Sequence, residues 1–516
     1  MIAKTYGAAI AGIDALTIRV ETSVEPGVNF MLVGLPDSAV KESHYRIATA
    51  IVHCGGKVPV RKIVINMAPA DLRKEGAAYD LTLAMGILAA SGQLENAGSL
   101  TAGVENYMMM GELSLDGNLR PIKGALPFAL EAKRRGFKGI ILPSGNVQEA
   151  AMVAGIPVYG AENLRQVVAF FKGEDSLTVS VPAAMDGQDA AGRASEPDFR
   201  EVKGQAFCKR ALEITAAGGH NILLVGPPGS GKTMLARRLP GILPPLTVEE
   251  ALETTKIYSV AGKLVASDRL IRSRPFRDPH HTVSYAALVG GGSFPQPGEI
   301  SLAHNGVLFL DELPEFTRST LEVLRQPLED RKISICRAKM RVEYPAGFML
   351  VASMNPCPCG YYGSSHKTCT CKQGAIERYL NKVSGPLLDR MDLHVQVSPV
   401  PYKELSSAGG GEPSAVVRRR VLQARKMQQS RFSGQDLFCN AQMQARQIGR
   451  YCTLDHESSE LLKEAMRQHG LSARTYHRIL KVARTIADLA GEEEIAAGHV
   501  AEALHYRCID RTGYGT

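Results

Sequence analysis

Along residues 1–173, short apolar runs that alternate in the strand manner are interleaved with longer runs of helical spacing. LTIRVETSV (16–24), KIVINMA (62–68) and GIILP (139–143) read as strands, DLTLAMGILAA (80–90) and ALPFALEAKRRG (125–136) as helices. That alternation predicts an α/β domain. The pattern lapses over 174–198, which is small, polar and acidic with few large apolar residues, and predicts a linker. Strands and helices alternate again over 199–400, which predicts a second α/β domain. A Gly/Pro-containing stretch, PVPYKELSSAGGGEPS, leads into a third zone, 401–516, where SAVVRRRVLQARKMQQSRF, SSELLKEAMRQHG, ARTYHRILKVARTIADLAG and AAGHVAEALHYR carry helical spacing and glycine stops.

A length of 516 residues fits this division, being too long for one core. Apolar residues make up 45%, yet no run approaches the ~20 residues that span a bilayer. The N-terminus lacks a basic-then-apolar signal pattern, so a cytoplasmic protein is expected. The net charge of +8 permits a polyanionic partner without demanding one. Four of the ten cysteines sit together, a pattern closer to metal binding than to a secreted disulfide framework.

The segment NILLVGPPGSGKTMLARRL (221–239) carries the strongest chemical signal. An apolar strand feeds a loop of Gly226, Pro227, Pro228, Gly229, Ser230 and Gly231, and a helix follows. Glycines there let backbone N–H groups surround phosphate oxygens. Lys232 can reach the β- and γ-phosphates of ATP, and the Thr233 hydroxyl can ligate Mg²⁺. The following helix adds its positive N-terminal dipole. In GVLFLDELPEF a second apolar strand ends in Asp311, a candidate Mg²⁺ ligand, and Glu312, a candidate base for the attacking water. A third strand, GFMLVASMN, ends in Asn355, which can orient that water or simply close a turn.

These three pieces in this order resemble an AAA+ ATPase. RPFRDPHHTVSYAALVGGGSFPQPGEISLAHNGVLFLDELPEF and SGPLLDRMDLHVQV narrow the resemblance to the magnesium-chelatase-like ATPases of the YifB/ComM family, over nearly the whole chain. The resemblance implies an N-terminal Lon-protease-like domain (ribosomal S5 domain 2-like), a central AAA+ P-loop domain and a C-terminal helical lid. It further implies a homo-hexamer acting on single-stranded or branched DNA, as in the family's branch-migration helicase of natural transformation, alongside recombination proteins. Arg390, in LLDRMD, matches the position of an arginine finger that completes a neighbour's site; a surface pairing with Asp389 or Asp392 is the alternative. Arg474, in LSARTYHRIL, matches a lid arginine that contacts the γ-phosphate; a solvated helix arginine is the alternative.

LEDRKISICRAKMRVEYPAG (328–347) reads as a β-hairpin with Arg337, Ala338 and Lys339 at its tip. In related helicases a hairpin here lines the central pore, so Arg337 and Lys339 are the candidate DNA contacts, with phosphate rather than base edges as their target. A solvated charged turn has the same pattern. HTVSYAALVGGGSFPQPGEIS resembles the helix-2 insert of this clade, another pore element, and His280 and His281, which open it, are assigned a structural role. The basic run RRRVLQARKMQQSR fits a DNA contact or a solvated lid helix equally.

MNPCPCGYYGSSHKTCTCKQ holds Cys357, Cys359, Cys369 and Cys371 as two Cys-x-Cys pairs, which can surround a structural Zn²⁺; His366 can replace one ligand. Reduced, idle cysteines or a redox-sensitive loop are the alternatives. The stretch 111–146 resembles the proteolytic domain of Lon-type proteases, but Ala78 stands where such enzymes carry the nucleophilic serine and Leu126 where they carry the lysine, with Lys123 elsewhere in the motif. Proteolysis is therefore not expected. Two rival functions remain open: a metal-insertion ATPase like the magnesium chelatase subunit, against which the Lon-like domain and the cysteines speak, and a protein remodeller that does not bind DNA.

Overall fold

In a computed structural model, residues 2–94, 103–180, 197–264, 270–292, 295–337, 340–363, 367–401, 404 and 410–507 are described. The chain divides into two compact units, 1–186 with 251–271, and 187–250 with 272–516.

The first unit is built on an eight-stranded sheet, in the order Thr178–Ser180, Val158–Ala161, Gly139–Pro143, Tyr107–Met109, Ile2–Ala11, Asp14–Glu25, Lys62–Ala68 and Phe30–Val33. Its long central hairpin runs antiparallel from Ile2 opposite Ser23 to Ala11 opposite Asp14. The expected strands at 62–68 and 139–143 are present, as are helices Asp80–Ala90 and Ala125–Arg134. Helix Asp80–Ala90 is apolar on nearly all faces and almost wholly buried, hence the absence of a polar stripe in its sequence. Thr178–Ser180, inside the stretch read as a linker, pairs antiparallel with Val158–Ala161 as an edge strand, with Leu177 buried beside it. A short strand needs one paired edge and one anchored side chain, which a composition of small residues conceals. Most of the helix Val248–Ala261 also belongs to this unit: Lys256 pairs with Asp14 at 2.8 Å, and Ser259 donates to the Glu149 carboxylate.

The second unit holds a five-stranded parallel sheet in the order Phe276–Arg277, Val307–Leu310, Met349–Met354, Ile222–Val225 and Leu393–Gln396. Ile222–Val225 and Val307–Leu310 are buried at every position, as unbroken apolar runs in a covered parallel sheet should be. Its lid helices follow the glycine and cap signals closely. Ser414–Arg431 comes first; Asp455 then caps His456–His469, and Gly470 ends it at φ +54°, a left-handed angle. Ser472 accepts from the Thr475 N–H to open Ala473–Ala490, and Gly491 ends that helix at φ +79°. The expected hairpin forms between Lys332–Arg337 and Met340–Pro345, antiparallel with Arg337 opposite Met340. Ile333, Ile335, Val342 and Tyr344 are buried, while Arg341 and Glu343 of the alternate register are exposed.

Candidate nucleotide site

Parallel strands that are neighbours in space but distant in sequence deliver their C-terminal ends to one edge of the sheet. There Ile222–Val225 leads into the glycine loop, Val307–Leu310 into Asp311 and Glu312, and Met349–Met354 into Asn355. Gly229 at φ +75° and Gly231 at φ +92° turn the loop, and Gly231 opens the helix Lys232–Arg238. A Cβ on Gly226 would lie 2.2 Å from the Val397 carbonyl oxygen, so only glycine lets the loop pass that strand exit.

Lys232 is buried, and its Nζ donates to the Gly226 carbonyl at 2.7 Å, to the Pro227 carbonyl at 3.0 Å and to Asn355 Oδ1 at 3.1 Å. Burial lowers its pKa, against the pull of the Asp311 and Glu312 carboxylates. A desolvated ammonium held only by neutral oxygens is an anion site in waiting. Thr233 Oγ1 donates to Asp311 Oδ2 at 2.7 Å. That separation fits two adjacent oxygen ligands of Mg²⁺, which lie ~2.9 Å apart at metal–oxygen distances of ~2.05 Å. When bound, the metal neutralises and orients phosphate oxygens; Thr233 and Asp311 are the residues that would hold it.

Glu312 takes a left-handed backbone at φ +54°, costly for a residue with a side chain and concentrated at functional sites. Its N–H donates to Asp311 Oδ1 at 3.1 Å, while its carboxylate is mostly exposed and 3.9 Å from His281 Nδ1. The base candidate thus faces outward and the metal-ligand candidate inward. His281, assigned a structural role on sequence, is the nearest imidazole to this carboxylate in an ion-pair geometry.

Two residues escaped the sequence reading. Ser353 donates to Asp311 Oδ1; it lies two positions before Asn355, on the same strand face, and that period of two was the available signal. Gln205, at φ +53°, donates through Nε2 to the Ser230 carbonyl at 2.6 Å and braces the loop from a distant segment. No local pattern marks it.

Profiles of the magnesium chelatase family match most of the chain. The magnesium chelatase subunit ChlI profile covers 198–405, a second ChlI profile covers 20–146, and the ChlI C-terminal profile covers 411–507. The uncharacterized protein YifB of Salmonella typhimurium is 46% identical over 512 residues, 99% of this chain and 98% of that one. The competence protein ComM of Haemophilus influenzae is 44% identical over 512 residues, again 99% of this chain and 98% of its own. This chain belongs to the YifB/ComM family of magnesium-chelatase-like AAA+ ATPases. Lon protease 2 of Bacillus subtilis is 32% identical over 149 residues, 26% of each chain, in keeping with the Lon-like N-terminal domain.

In this YifB/ComM chain, Ala78 is half-buried before helix Asp80–Ala90, Leu126 is fully buried in Ala125–Arg134, and Lys123 is exposed. The first two positions are packing positions, with no atom able to attack or to accept a proton.

Arg390 bonds neither Asp389 nor Asp392. It donates to the Pro386 carbonyl at 2.7 Å and pairs with Glu329. Asp392 instead takes Arg478, His220 Nδ1 at 3.4 Å and the Asn221 N–H at 3.0 Å. Arg474 is exposed in the first turn of Ala473–Ala490, and Arg478, one turn on, is the arginine of that helix bound to the ATPase core. Of the pore candidates, Arg337 is described by its backbone alone; Lys339 lies outside the described residues, as does His366.

The four cysteines converge: their Sγ atoms all lie within 4.8 Å of one another. So crowded, the thiols do not titrate alike. Despite desolvation, Cys359 is drawn down to about 6 by N–H groups of Tyr361 and Thr370, while Cys369 is pushed up to about 12. Among the described residues no helix is long and apolar enough to cross a membrane.

Proposed function

We propose that this AAA+ ATPase works in the cytoplasm as a homo-hexameric ring that moves along single-stranded or branched DNA, in the manner of a branch-migration helicase. What supports the reading is the grouping of the candidate ATP-site residues without Arg390 among their hydrogen-bond partners. Lys232, Thr233, Asp311, Glu312 and Asn355 stand together, whereas Arg390 bonds Pro386 and Glu329. In this reading Arg390 completes the site of a neighbouring chain, and neighbours that each complete the next close a ring. In this reading Glu312 polarises the attacking water, Asn355 orients it, and Arg474 reaches the γ-phosphate when the lid closes.

The hairpin Lys332–Arg337 and Met340–Pro345 supplies the DNA element, anchored by its buried isoleucines and Tyr344. In this reading Arg337 and Lys339 supply the phosphate contacts. The name of the Haemophilus relative, a competence protein, supports a role with incoming DNA and recombination partners. The Lon-like domain serves assembly or DNA binding without proteolysis. A metal-insertion ATPase is the second reading. The chelatase subunit profile over 20–146 favours it, since the N-terminal domain no longer separates the two.

ATP turnover with and without forked DNA separates these readings. The motor reading expects stimulation by the fork, binding that weakens steeply with salt, and loss of coupling in Arg337→Ala/Lys339→Ala with basal turnover retained. Turnover indifferent to DNA at every salt concentration refutes it and leaves the ATPase in place.

A further inference from the structure

We propose that Cys357, Cys359, Cys369 and Cys371 bind one zinc ion that braces the nucleotide site, so that metal loading sets the rate of ATP hydrolysis. The sulfur geometry is that of a metal site. Cys357 and Cys359 are 3.4 Å apart, Cys357 and Cys369 3.6 Å, and Cys359 and Cys369 3.5 Å. A tetrahedron with zinc–sulfur bonds of ~2.3 Å places its sulfurs ~3.8 Å apart. A disulfide requires ~2.05 Å, and all four cysteines are free. The set contains sulfur alone, which selects a soft or borderline ion over magnesium or calcium. Backbone amides serve the sulfurs: the Tyr362 N–H donates to Cys357 Sγ at 3.3 Å, and the Cys371 N–H to Cys369 Sγ at 3.4 Å. Donors of this kind spread thiolate charge around a bound metal.

The ion would stand directly behind the ATP site. Cys357 follows Asn355 by two residues, and the Asn355 side chain accepts from Lys232. A Cβ on Gly360 would lie 2.4 Å from Pro228 Cδ, so the backbone of the cysteine loop lies against the phosphate loop. On the other side of the cluster, Cys371 runs into helix Gln373–Leu380, whose buried Tyr379 hydroxyl lies beside the Asn355 backbone N–H. Both arms of the cysteine loop therefore hold the segment that presents Asn355. Tying them through one ion removes freedom from that residue and from Pro228 together; without the ion two short Cys-x-Cys turns must do so unaided.

The test uses the full chain purified under reducing conditions without chelator. Zinc per chain is measured, Co²⁺ is exchanged in for its thiolate charge-transfer band, and ATP turnover is followed while a mercurial thiol reagent strips the metal and dithiothreitol with zinc restores it. One zinc per chain, a tetrathiolate Co²⁺ spectrum and a reversible fall of about tenfold in kcat are expected, that factor being about 1.4 kcal/mol of barrier. Cys369→Ser and Cys371→Ser should each lower zinc content and kcat, while Cys336→Ser, on the hairpin, keeps full zinc. Absence of both zinc and the cobalt band overturns the site. A loaded enzyme whose turnover is unchanged by stripping overturns the brace and leaves the ATPase reading intact; a loaded enzyme that never hydrolyses ATP defeats that reading and the brace while the metal site stands.

Discussion

The Lys232 ammonium lies 3.1 Å from Asn355 Oδ1, so the lysine of the glycine loop and the asparagine at the end of the adjacent strand form one hydrogen-bonded pair. Lys232→Ala removes the cation proposed to hold ATP, and binding of a fluorescent ATP analogue should fall below detection. Asn355→Ala leaves that cation and should lower kcat about 10- to 100-fold, or about 1.4–2.7 kcal/mol of barrier, with a smaller change in KM. Steady-state ATP titrations distinguish the two patterns.

Glu312 separates binding from chemistry. Its carboxylate points outward, while Asp311 and Thr233 pair with each other at the proposed metal position. Glu312→Gln should therefore bind ATP as the parent does and lose about 10²- to 10⁴-fold in single-turnover hydrolysis, the usual worth of a positioned base. Loss of nucleotide binding in this variant would instead make Glu312 a ligand.

Arg390 predicts a result that one kind of chain cannot give. Arg390→Ala alone and Lys232→Ala alone should each be nearly inactive. Mixed before assembly, they should recover turnover, because an intact site on one chain then meets an intact arginine on the next. Equal inactivity of the mixture at every ratio argues against completion between subunits.

Asp392 ties the lid to the ATPase core. Burial alone would raise its carboxyl, but Arg478, His220 and the Asn221 N–H hold it far below the usual carboxylate range. A folded-state pKa below the unfolded ~3.9 contributes stability that is present above that pH and lost as pH falls through the acid range below it. Asp392→Asn should cost about 3–5 kcal/mol near neutral pH by leaving Arg478 unpaired. It should also flatten the loss of stability below about pH 4, and urea unfolding at pH 7 and pH 3.5 reads both effects.

The motifs, their order and most elements are legible along the chain alone. Gly229 and Gly231, an apolar strand before them and a helix after them are properties of one short segment, and so are the caps Ser472 and Asp455 with their closing glycines. Local pattern settles such features because their hydrogen bonds close within a few residues. It could not determine who meets whom. The parallel sheet places Met349–Met354 between Ile222–Val225 and Val307–Leu310, and only that order brings Asn355 to Lys232 and Ser353 to Asp311. Arg474 carries the lid motif, whereas Arg478, one turn on along the same helix, is held by Asp392, a partner too far along the chain for any local pattern to name. The same holds for Thr178–Ser180 and for residues 251–264, whose companions are fixed by long-range burial and pairing that no window of sequence contains.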